Sequence, residues 1–140
     1  MQDFADHPAR AVSIRSMTAV EAGDRAAWLA VFAEDAVVAD PIGPSPLDPS
    51  GAGHHGPDAI AAFWDNVIAG NQIRFTIRRS YAAGSEVANV GTITTTFPSG
   101  EAVAVDGVFT YRVDDAGERL AALRAFWEFD AAYAVPAPGL

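Results

Sequence analysis

Apolar positions recur at helical spacing through the first half of the chain and alternate through the second. Residues 9–22, "ARAVSIRSMTAVEA", set Val12, Met17 and Val20 at loose helical intervals, and Gly23 is placed to end that helix. Asp24 then suits the N-cap of a second helix over "RAAWLAVFAE", in which Trp28, Val31 and Phe32 share a face. Ala36 to Ala39 reads as a short strand running into Asp40. Residues 41–56 are dominated by proline, glycine and serine and read as a loop. A third helix is expected over 57–69, with Pro57 in its first turn and Ile60, Phe63, Trp64 and Val67 as its apolar stripe. After Gly70 the period shortens to two. "IRFTIRRSY", "EVANVGTITTTF", "AVAVDGVFTYRV" and "LAALRAFWEFDA" are rich in β-branched and aromatic residues, with turns at "PSG" and "DDAG".

Helices first and consecutive antiparallel strands afterwards predict an α+β domain in which a curved sheet wraps three helices. Such a sheet leaves a cone whose open end is lined by apolar side chains. At 140 residues, half of them apolar, the chain suits one domain, taken as residues 1–134 with a loose tail at 135–140. There is no cysteine, which removes disulfides, thiolate metal sites and thiol nucleophiles. No apolar run approaches the ~20 residues of a membrane span, and the N-terminus lacks a secretion signal, so a cytoplasmic protein is expected. Acidic residues outnumber basic ones by nine, a field that argues against nucleic-acid and anionic-membrane partners.

The chemistry centres on "VVADPIGPSP", residues 37–46, where Asp40 ends an apolar run. At the rim of an apolar cone a carboxylate is partly desolvated, which raises its basicity. Pro41 removes one backbone donor that would stabilise the charged form. The competing reading is an ordinary Asp-Pro turn. His54 and His55 in "GHHG" point in different directions with no third ligand nearby, so no metal site is expected. The loop 44–55 is expected to lie beside Asp40 as a lid. Arg74 and Arg78 are expected on one face of their strand and Arg79 on the other.

Four stretches carry a family resemblance: "GDRAAWLAVFAEDAVVADPIG" at 23–43, "GPDAIAAFW" at 56–64, "FTYRVDDAG" at 109–117 and "LRAFWEFD" at 123–130. Together they resemble the nuclear transport factor 2-like superfamily, and within it the ketosteroid isomerase branch, over nearly the whole chain. The resemblance implies that Asp40 is the general base, moving a proton from a carbon beside a ketone to a more distant carbon. That family is itself a worked example of an aspartate base paired with an oxyanion hole made of a tyrosine and a neutral aspartic acid. It further implies a steroid-like apolar ligand, no cofactor, and a homodimer. The cavity wall would include Ser16, Trp28, Phe32, Trp64, Phe109 and Trp127.

The chain departs from the family at both oxyanion donors. Ser16 stands where the family's tyrosine is expected, and Phe109 where its aspartic acid is expected. Asp106 does not replace the acid, because strand parity puts Val103, Val105, Phe109, Tyr111 and Val113 on one face and Asp106 on the other, unless Gly107 forms a bulge. The remaining donor candidates are the indoles of Trp28, Trp64 and Trp127 and the hydroxyl of Tyr111. Ligand binding without turnover, and epoxide hydrolysis or polyketide cyclisation, are the alternative activities; the hydrolases need an Asp-Arg-Asp arrangement inside the pocket.

Overall fold

The computed structural model describes residues 7–136. Helix α1 (Pro8–Ala22) starts at His7, whose Nδ1 accepts from Ala9 N at 3.1 Å, and stops at Gly23, which takes a left-handed φ of 67°. The N–H groups of Gly23 and Asp24 close the helix end onto the carbonyls of Val20 and Ala19. Its inward face carries Ala9, Val12, Ser13, Ser16, Ala19 and Val20, while Met17 is only partly buried. Small polar residues on this inward stripe explain why the helical pattern is weak in the sequence.

Helix α2 is shorter than expected. Asp24 caps it, accepting from Ala27 N at 3.0 Å, but the helix spans only Arg25–Leu29. Val31 O accepts instead from Leu120 N at 2.8 Å, and strand β1 (Phe32–Ala39) begins at the next residue. Val31 and Phe32, and again Ala36, Val38 and Ala39, are buried, and periodicity alone cannot separate a buried strand from a helix in so short a stretch. Glu34 and Asp35 escape burial where β1 loses register with its neighbour between Phe32 and Val37.

Residues 41–53 are irregular, but His54–His55 form strand β2, paired antiparallel with β1. Helix α3 (Gly56–Phe63) follows and continues as a π-helical turn over Trp64–Ile68. Four long strands come next: β3 (Gln72–Ala83), β4 (Glu86–Thr96), β5 (Ala102–Val113) and β6 (Leu120–Phe126). The sheet order is β2-β1-β6-β5-β4-β3, antiparallel except for β1 beside β6, and β7 (Tyr133–Val135) adds to the far end of β5. Part of the expected tail therefore belongs to the sheet; residues 137–140 lie outside the described residues.

The sheet bends over the helices. Gly91 and Gly107 face each other across β4 and β5. A Cβ on Gly91 would collide with Thr76 O of β3, and one on Gly107 with Phe126 O of β6. Both neighbouring backbones close in at this row, which only glycine permits. The β4–β5 register runs unbroken through Gly107, so the parity of β5 holds. A register shift in β3 between Ile77 and Arg79 makes Arg78 an extra residue. Arg79 consequently pairs with Val90, on the side of the sheet away from the cone and shared with Arg74, correcting the expected alternation.

At one end of the cone α1 is joined to the sheet by a buried polar cluster. Arg10 donates through Nε to Ser80 Oγ at 2.9 Å. Ser80 Oγ donates to Asn89 Oδ1 at 2.7 Å, Asn89 Nδ2 to Ser13 Oγ at 3.1 Å, and Ser13 Oγ to Arg10 O at 2.8 Å. Among the described residues no helix is long and apolar enough to cross a membrane.

Candidate active site

The hollow enclosed by α1, α3 and the sheet has a volume of about 480 Å³, within the range of small-molecule sites. Cross-strand pairing orders its wall into rows. Ile73, Thr95 and Val103 form one row, and Phe75, Ile93 and Val105 the next. Beyond the glycine pair, Phe109 is level with Ala125, and Tyr111 is level with Leu123. Strand alternation predicted which side chains face inward. It did not show that Ile73, Phe75, Ile93 and Thr95 extend the same wall, because that depends on how the strands pair.

The π-helical turn contributes Asn66, Val67 and Ile68, three consecutive residues that all reach the cavity. Such turns are frequent at functional sites, and no periodic signal in the sequence marks this one. Leu47 is the contribution of the loop before β2. That loop is organised around Asp48, which exchanges backbone hydrogen bonds with Ser45 and accepts from Gly53 N at 2.9 Å. The loop is thus hydrogen-bonded within itself and places one residue in the cavity wall.

Asp40 lies in the wall, part-buried, directly after β1. The Asp40–Pro41 peptide is cis, and Ile42 N returns to the sheet through Ala125 O. Trp127 Nε1 donates to Asp40 Oδ1 at 2.6 Å, short for an N–H···O bond, and bonds to a charged acceptor are the shorter ones. Burial pushes the Asp40 carboxyl above the usual carboxylate range; the Trp127 bond and the charge of His54 pull the other way without cancelling it. The result is a carboxylate fixed in position yet more basic than one in water.

The other expected site residues divide. Ser16, Trp28, Phe109 and Trp127 line the cavity; Phe32 and Trp64 do not. These two pack behind Trp28, with ring centroids 4.7 and 5.4 Å from it, and support the wall without forming it. Phe32 belongs to strand β1 and not to the second helix expected from the sequence. Of the donor candidates, the Trp28 indole is engaged by Ser16 Oγ at 3.1 Å and the Trp127 indole by Asp40. Tyr111 lines the cavity and is 2% exposed, and its hydroxyl has no hydrogen-bond partner among the described residues. Burial, and secondarily the charge of Asp40, pushes its ionisation upward, so it stays protonated as a donor.

Asp106 faces away from the cavity. It accepts from Thr92 Oγ1 and from Tyr133 Oη at 3.0 Å, with Arg78 4.0 Å away, and these bonds hold its carboxyl below the usual range. His54 packs against Phe63 in a tilted arrangement with ring centroids 4.9 Å apart, and His55 Nε2 meets Ala52 O at 2.8 Å, so the two imidazoles serve different neighbours.

Comparison with known proteins agrees with this geometry. The profile of the SnoaL-like domain matches residues 14–123. The chain belongs to that family. It is 43% identical to a Δ5-3-ketosteroid isomerase from Mycobacterium sp., with a TM-score of 0.87 over 92% of this chain and 99% of the other. A Mycobacterium tuberculosis protein crystallised with estradiol-17β-hemisuccinate is 37% identical, with a TM-score of 0.86 over 91% of this chain and 99% of that one. A computationally designed 17-OHP binder is 34% identical, with a TM-score of 0.87 over 93% of this chain and all of the binder. The α+β cone is therefore the nuclear transport factor 2-like fold, in a chain whose similar structures include an isomerase and steroid-ligand proteins.

Proposed function

We propose that this SnoaL-like protein is a steroid Δ-isomerase acting on a flat, apolar ketone, with Asp40 as the proton shuttle. The observation that carries this reading is a part-buried carboxylate, held by Trp127 and raised in basicity, in the wall of an otherwise largely apolar cavity. Asp40 removes a proton from the carbon between the ketone and the unconjugated double bond. The electron pair spreads onto the ketone oxygen as a dienolate. The neutral Asp40 then returns the same proton to the far carbon of the dienolate, leaving a conjugated enone. No cofactor is needed, since nothing is oxidised or reduced overall.

Two neighbouring activities fit less well. Epoxide opening of the Asp-Arg-Asp type wants an arginine in the cavity. Among the described residues none lines it, and Arg10 is committed to Ser80. Ligand binding without turnover is favoured by one observation: Phe109 supplies no donor and Ser16 presents a short hydroxyl in place of a phenol.

The test is the growth of conjugated-enone absorbance after adding a 5-ene-3-ketosteroid. Turnover by the wild type, lost by roughly 10²–10⁴-fold in Asp40→Asn, is the expected result for a general base. Binding of the steroid with no absorbance change in either protein would replace the isomerase reading with the binding one.

A further inference from the structure

The cavity holds polar groups that the protein itself does not satisfy. Tyr111 brings a hydroxyl to the row beside Asp40's, two residues past Phe109 on the same face of β5, roughly 7 Å along the strand. The hydroxyl makes no hydrogen bond within the described residues and opens onto the cavity, so it is available to a polar group of whatever the cavity holds. Ser16 repeats the pattern from the facing helix. It is 1% exposed, and its oxygen is occupied as acceptor by the Trp28 indole. Its own proton has no acceptor among the described residues. Tyr111 and Ser16 therefore share a mostly apolar lining with Asp40, on which Asn66, Asn71 and Thr95 are the other polar side chains apart from the indoles.

We propose that the Tyr111 hydroxyl, with Ser16 Oγ–H as the weaker second donor, holds the carbonyl oxygen of the ligand and forms the oxyanion site of this chain. The inference rests on the isomerase-type reading of Asp40 and adds to it the residues that take the ketone. The chemistry balances without another reagent. Asp40 carries the proton between carbons, while Tyr111 and Ser16 donate hydrogen bonds to the oxygen where the dienolate charge gathers, and neither gives up its proton. Because Tyr111 resists ionisation beside Asp40, it remains a donor throughout the range in which Asp40 is the base. Phe109 fits the same scheme as an apolar spacer. It contributes no donor to the row of Asp40 and leaves the oxygen-binding task to the row beyond. The expected ligand is a planar apolar molecule with a ketone, or a hydroxyl acting as acceptor, at its inner end.

The experiment uses the full chain and a 4-ene-3-ketosteroid labelled with ¹³C at the carbonyl, reading the infrared carbonyl band of the bound ligand. In the wild type the band is expected well below its position in an apolar solvent. In Tyr111→Phe it is expected to return most of the way, while Asp40→Asn keeps it low. In turnover, Tyr111→Phe is expected to lower kcat by about 10²-fold with KM little changed, the pattern of a bond that strengthens in the transition state. Ser16→Ala should give a smaller change in both readouts. Tyr111→Phe keeps the ring and removes a hydroxyl without a protein partner, so its thermal midpoint without ligand should equal or exceed that of the wild type. A bound carbonyl band and a kcat unmoved by Tyr111→Phe would overturn this assignment and leave the isomerase reading standing. Binding without turnover would remove the isomerase reading, and the band would still decide on Tyr111. Failure of the wild type to bind the enone at all would overturn both.

Discussion

Two sets of buried polar side chains share this cone and differ in one respect. In the cluster of Arg10, Ser13, Ser80 and Asn89, each side chain is bonded to a neighbour, and the group ties α1 to the edge of the sheet. Around the cavity, Ser16 and Tyr111 keep donors without a protein partner among the described residues, and the Asp40 carboxylate is held by a single indole. Both sets carry the cost of leaving water. The first recovers it within the fold. The second is left open to whatever enters the cavity.

The largest stability effect should come from breaking the closed set. Asn89→Leu removes the partner of both Ser13 and Ser80, and is expected to cost roughly 2–4 kcal/mol, seen as a lowered midpoint in thermal or urea unfolding. A loss below about 0.5 kcal/mol would mean that the cluster is not the tie it appears on the geometry. In the open set the sign should reverse. The Asp40 carboxyl binds its proton more readily when folded than when unfolded, so its ionised form weighs against folding. That penalty is absent below the ordinary carboxylate value, grows as pH rises towards the raised one, and is complete above it. Asp40→Asn should therefore stabilise the protein at neutral pH by roughly 0.5–2 kcal/mol, with the gain fading on acidification through that window. A gain independent of pH would assign it to something other than the charge. The smallest effect is expected outside the cone. Asp106→Ala removes an exposed carboxylate bonded to Thr92 and Tyr133 on the sheet's outer face, and should leave both the melting midpoint and ligand binding unchanged within error.

Much of this contrast could be read before the fold was seen, and the parts that could not have specific causes. The odd-numbered face of β5 was legible because alternation has a strict period of two, so Phe109 and Tyr111 went inward and Asp106 outward. The same rule failed at Arg79, where one extra residue in β3 shifts the parity and leaves no mark in composition. The capping residues Gly23 and Asp24 were legible from local chemistry. The end of α2 was not, since Val31 O accepts from Leu120 N, far away in the sequence, where a longer helix would have continued. Asp40 was identifiable from its motif and its position after an apolar strand. Tyr111 could be named as a donor candidate from its hydroxyl and its strand parity, but that no neighbour among the described residues bonds to this hydroxyl could be seen only in the fold. The histidine pair shows the opposite case, a conspicuous doublet that the fold uses to pair β2 with β1.

The facing glycines of β4 and β5 have a consequence for how this architecture can change. At this row two backbones press against positions without side chains, and neither Gly91 nor Gly107 lines the cavity. Shape and selectivity are thus assigned to separate residues. Lining positions such as Ser16 and Phe109 are free to drift, altering what is accepted, while the container persists. A lineage can in this way exchange one substrate for another through single substitutions without passing through a collapsed intermediate.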